Sequence, residues 1–127
     1  KTNEWLFSDD TLTLNNAISR LSSIEPSGGS NLESAFRMAS KLKPKPDNIY
    51  LITDGLPTLG QKEVNRAIIT GNDRLKLFES AVTQIPIATP VNTILLPMEG
   101  DPLAPWAYWG VAAVTSGSFV TPASDWP

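Results

Sequence analysis

Apolar residues recur along this chain in two rhythms, one helical and one continuous. Leu14, Ala17, Ile18, Leu21 and Ile24 fall at spacings of three and four, which puts one apolar stripe on a helix that Pro26 and Gly28-Gly29 end. Leu32, Ala35, Phe36, Ala39 and Leu42 repeat the pattern in a second helix, closed by Pro44 and Pro46. Ile49 to Ile52 shows no polar alternation, the mark of a parallel strand covered on both faces, and Thr93-Ile94-Leu95-Leu96 is another such run. Between them, Asn72 as a cap predicts a helix burying Leu75, Phe78, Ala81, Val82 and Ile85 and ended by Pro86. Pro105 to Thr115 reads as a helix stopped by Gly117, with a short strand at Ser118-Phe119-Val120. At the other end, Trp5-Leu6-Phe7 reads as a strand running into a turn at Ser8-Asp9-Asp10. Helices alternating with strands predict an α/β fold with a mainly parallel sheet, one domain over residues 1–127.

Composition narrows the chemistry more than it adds to the fold. The 127 residues contain no His and no Cys, so the chain lacks an imidazole base, a thiolate and the ordinary zinc ligands. Any metal must be held by oxygen, which favours magnesium, calcium or manganese. With 10 basic and 13 acidic residues the net charge is -3, which gives no electrostatic footprint for nucleic acid and no attraction to an anionic membrane. No apolar run is long enough to span a bilayer. The absence of Cys suits a cytosolic or a periplasmic address alike. The chain opens on Lys1 rather than Met, from which we expect upstream sequence: a leader, an anchor or a further strand.

Two segments carry the candidate site. Asn48 to Gly55 is a strand that ends on Asp54, and ligands of open α/β sheets collect beyond the carboxyl ends of the strands. Read structurally, Asp54-Gly55 is a turn pair in which Gly supplies a positive φ. Pro26-Ser27-Gly28-Gly29-Ser30-Asn31-Leu32 opens a helix. Ser30-Asn31-Leu32-Glu33 spells a capping box, whereas Gly28-Gly29 lets the backbone turn sharply and approach a ligand closely.

In order and spacing, Leu12-Thr13-Leu14 through Leu21, GGSNL, Ala35 and Ala39, IYLITDGLPT, and the strand-helix-strand unit from Val91 to Val120 resemble a von Willebrand factor type A domain. The resemblance covers nearly the whole chain. It implies a three-layer, doubly wound, mainly parallel sheet with helices on both faces, and a metal-ion-dependent adhesion site on its upper edge. In that family the site combines an Asp-x-Ser-x-Ser loop, a Thr or Ser after a Gly pair, and the Asp of a Thr-Asp-Gly turn. Ser30 matches the second element and Asp54 the third, with Gly29 and Gly55 shaping the loops. The implied function is protein-protein recognition without catalysis, a divalent ion (Mg2+, or Ca2+/Mn2+) taking an acidic side chain of the partner into its shell.

No Asp-x-Ser-x-Ser occurs here. Asp9-Asp10-Thr11-Leu12-Thr13 offers an acid and two hydroxyls at the same mutual spacing but stands too close before Ser30, so Trp5 to Asp9 aligns with the family's second strand. The central first strand is then missing, the domain is N-terminally incomplete, and its sheet calls for strand complementation or dimerisation. Magnesium takes roughly six oxygens, so Ser30 and Asp54 leave roughly four positions to water or partner, a weak or empty site. Alternatives are a metal-assisted hydrolase or phosphotransfer module using Asp54 with Asp9 or Asp10, and a structural domain whose site has decayed.

Three further features rank lower. Gly55 to Lys62 resembles a phosphate loop in outline, but Gln61 precedes the Lys, Glu63 replaces the needed hydroxyl and Pro57 removes an amide donor. Met98-Glu99-Gly100-Asp101-Pro102 follows a strand and belongs on the same rim as Asp54, as a cation contact or, more simply, as a solvated loop. Trp106, Tyr108 and Trp109 either anchor an interface or pack a helix onto the sheet.

Overall fold

A computed structural model describes residues 5–7, 9–25, 27–61, 69–96 and 99–122. Pro26, Lys62, Glu63 and Met98 lie outside the described residues. The elements run α1 (Thr11–Ser22), α2 (Leu32–Ser40), β1 (Ile49–Thr53), α3 (Gly71–Val82), β2 (Val91–Leu95), α4 (Ala104–Thr115) and β3 (Phe119–Val120). The class is α/β: the described residues form four helices and a three-stranded parallel sheet in the order β1-β2-β3, a Rossmann-like arrangement.

Both crossovers step the same way across the sheet, and right-handed connections then place α3 and α4 on one face. Burial agrees. Ile49, Leu51, Val91, Leu95 and Phe119 meet Phe78 and Ala81 of α3 and Ala104, Ala107, Tyr108 and Val111 of α4 in a single core. Leu32 and Phe36 bring α2 into the same core, and the rings of Phe78 and Tyr108 pack edge to face at 4.9 Å. At the end of α4 the backbone turns through Ser116, left-handed at φ 59°, into Gly117, where a Cβ would stand 2.0 Å from the Val91 carbonyl oxygen. That crossing of backbones is what ties α4 back to β2.

The opposite face is bare among the described residues. Tyr50 is 73% exposed and Ile52 66%, although the unbroken apolar run predicts cover on both sides of this strand. β1 is also an edge: it pairs with β2, from Ile49 opposite Val91 to Thr53 opposite Leu95, and with no other described strand. Ile49 donates to the Pro90 carbonyl and Thr53 accepts from the Leu96 amide, so the alternation of the strand turns the peptide groups of Tyr50 and Ile52 to the open side.

The N-terminal expectations fare unevenly. α1 forms where its stripe predicts, yet none of its residues is buried. Trp5-Leu6-Phe7 is not a strand: it is irregular and exposed, tied by the Trp5 indole N–H donating to the Pro44 carbonyl at 2.8 Å. A three-residue apolar run holds an extended ladder only beside another strand, and none of the described strands lies next to it. The second helical layer expected from the family resemblance is therefore not assembled among the described residues.

Candidate functional site

The Asp54 turn is held from below by side chains of β1, α3, α4 and the loop that precedes α4. Thr53 donates its hydroxyl to the Gly55 carbonyl at 3.0 Å, and the buried Tyr108 hydroxyl donates to the same oxygen at 2.9 Å. The Leu56 amide donates to Asp101 Oδ2 at 2.6 Å, while Arg74 donates to the Leu56 carbonyl through Nε at 3.1 Å and also through Nη2. Arg74 and Asp101 close the set with an ion pair of 2.9 Å. A buried carboxylate is thus paired and hydrogen-bonded, as burial of charge requires.

Gly55 serves this packing rather than a left-handed backbone, a correction to the turn reading. Positive φ occurs at Gly28 and Gly100 among the described glycines, whereas a Cβ at position 55 would lie 2.6 Å from Asp101 Oδ2 and 3.0 Å from Arg74 Nη2. Asp54 itself stays exposed above the brace.

The loop of Ser30 is hydrogen-bonded to the chain just beyond Asp54. Ser30 donates its amide to Thr58 Oγ1 at 3.2 Å, and its carbonyl accepts from the amides of Thr58 and Leu59 at 3.1 and 3.0 Å. Asn31 Nδ2 donates to the Gly60 carbonyl and Gln61 donates to Glu33, each at 3.3 Å. Gly29 fits because a Cβ there would stand 2.3 Å from Thr58 Oγ1. The capping box is corrected too: Asn31 is the cap of α2 and accepts from Ser34, which leaves the Ser30 hydroxyl out of the capping. Glu33, the expected reciprocal partner, is turned to Gln61 instead.

Between the two loops lies a cleft of about 170 Å³ lined by Ser30, Asn31, Leu32, Thr53, Pro57 and Tyr108, among others. Burial raises the Tyr108 phenol from 10.0 to about 12; the charges of Asp101 and Asp54 add to that shift, and Thr53 and Arg74 oppose it. At neutral pH Tyr108 is therefore a hydroxyl donor and carries no charge.

Other carboxylates are committed elsewhere. Asp10 caps α1, accepting from the amides of Leu12 and Thr13 and from the Thr13 hydroxyl, and those bonds hold its carboxyl below the usual value. Asp101, expected in a solvated loop, is instead buried beneath the Asp54 turn. No signal near Asp101 predicts this, because its partners Leu56 and Arg74 are distant in sequence. Arg74 does carry a hint: it stands near the start of α3, where the helix dipole favours an acid. Among the described residues no three carboxylates gather as a metal-holding group. No described helix is long and apolar enough to cross a membrane.

Comparison with protein-family models, curated proteins and solved structures found no match to this chain.

Proposed function

We propose that this chain is a protein-recognition module of the von Willebrand factor type A kind, binding its partner at the carboxyl-terminal edge of the sheet. The observation that supports this reading is the reciprocal bonding of Ser30 with Thr58 and Leu59, which joins the GGSN loop to the segment just beyond the TDG turn. On this reading the sheet is doubly wound and covered on both faces. Ser30 and Asp54 supply two oxygens to a weakly held Mg2+, Ca2+ or Mn2+, and an acidic side chain of the partner supplies another. Gly29 lets the Ser30 loop approach Thr58, and Gly55 lets the Asp54 turn sit on Asp101 and Arg74. The recognition chemistry needs no catalytic group. A hydrolytic reading calls for a second free carboxylate beside Asp54, while Asp10 is engaged as a helix cap and Asp101 with Arg74.

Titration with Mn2+, in the presence and absence of a Glu-bearing peptide, tests the reading. Weak binding that the peptide strengthens, lost in Asp54→Ala and reduced in Ser30→Ala, is the expected result. Mn2+ binding that survives Asp54→Ala unchanged overturns it, as does metal-dependent turnover of a phosphate ester.

A further inference from the structure

We propose that two copies of this chain exchange their first helices, the apolar stripe of α1 from one copy lying across the bare sheet face of the other. The two surfaces are the unfilled halves of an α/β layer. On α1 the stripe exposes Leu14 by 42%, Ile18 by 52% and Leu21 by 69%; on the sheet, Tyr50 is exposed by 73%, Ile52 by 66% and Val120 by 42%. A helix stripe and a sheet face of this kind are stable only when buried against another element.

Charge and anchoring both favour a second copy as the occupant. The contacting positions are neutral on both sides, and Arg20, the one charged residue of α1, stands on the flank of the stripe. The ends of the segment are fixed to their own body: the Trp5 indole bonds the Pro44 carbonyl, and Ser30 bonds Thr58 and Leu59. In that setting the whole stripe faces solvent, so a face supplied by a second copy is met without breaking either anchor.

The area is sufficient as well. At roughly 150–200 Å² for a whole large apolar side chain, the six residues expose on the order of 600 Å² per copy. A two-fold exchange buries at most about 1,200 Å² in total over both copies, the lower end of the range of specific interfaces. Neither surface includes Ser30 or Asp54, but Ile52 lines the cleft beside Ser30, so metal-dependent capture is followed in the Ile18→Asp variant, where loss of the dimer and loss of capture are separate outcomes.

Light scattering on the full chain across a concentration series tests the exchange, with Ile18→Asp and Ile52→Asp as variants. Both positions are exposed within one copy, so far-ultraviolet circular dichroism of each variant should match the parent. The parent chain is expected to be dimeric, and each variant to associate at least roughly tenfold more weakly. A monomeric parent chain overturns the proposal. So does a dimer that survives Ile18→Asp, which would pair sheet faces, or one that survives Ile52→Asp, which would pair helices.

Discussion

α1 and α4 are both twelve-residue helices, and they stand at opposite extremes of burial. α4 buries Ala104, Ala107, Tyr108, Val111 and Ala112, whereas α1 buries nothing. Yet α1 carries the cleaner apolar stripe, while α4 is apolar nearly all round, with Trp106 and Trp109 on its outer side 67% and 59% exposed. Periodicity states what a helix is able to bury; a partner surface decides whether it does. α4 has that surface because Gly117 lets the chain cross Val91 closely and return as β3. α1 has only its own ends: the Asp10 cap at its start and Arg20 in its last turn, where the helix dipole favours a cation.

The sharpest way to break this contrast is to truncate one apolar side chain in each region. Phe78→Ala, in the core that α3 and α4 share, should cost about 3–5 kcal/mol in urea denaturation. Leu21→Ala on α1, measured in dilute solution, should change stability by no more than about 0.5 kcal/mol. Equal effects would mean that α1 packs on the body.

Next in size is the brace under Asp54. Asp101→Asn leaves the guanidinium of Arg74, 14% exposed in its side chain, beside a neutral group. A loss of about 3 kcal/mol is expected, and the double change Asp101→Asn with Arg74→Met should recover part of it in the same denaturation series.

Tyr108 adds a pH signature to the braced region. Its folded pKa of about 12 lies above the ordinary 10.0, so in strong alkali the unfolded chain loses the phenol proton first. The contribution is complete below pH 10.0 and is lost as the pH rises through about 12. Unfolding free energy should fall there by at most about 1.4 kcal/mol per pH unit, and Tyr108→Phe should lack that component.

The smallest expected effect is at the exposed end. Asp10→Ala removes the cap of α1 and should lower helicity by circular dichroism without moving the main unfolding transition. Because the Asp10 carboxyl is held below its usual value, its support of α1 is present at neutral pH and is lost as pH falls through that lowered value. Helicity that ignores both changes would show α1 to be held by something other than its cap.

The site was less legible than the elements. Ser30 and Asp54 stand out because each sits in a short string whose residue types are unusual together, Gly-Gly-Ser-Asn and Thr-Asp-Gly. The residues beneath them do not stand out. By local pattern Asp101 belongs to a solvated loop and Asn72 is the cap of α3, whereas the capping box runs from Thr70 to Asp73, a Thr-x-x-Asp spacing that the sequence itself carries. A cap is a local motif and can be read locally. The Leu56–Asp101–Arg74 cluster joins three separate stretches and has no local signature.

The sequence by itself determined where α1, α2, β1, β2 and α4 begin and end to within a few residues, because hydrophobic period and the stops at Pro and Gly act over single turns. Only the tertiary structure decided that, among the described residues, β1 is an edge, Trp5 to Phe7 is no strand, and one face of the sheet is covered while the other is bare. Those outcomes depend on which neighbour each element finds. Pairing and burial are properties of two surfaces, and a one-dimensional pattern records one surface at a time.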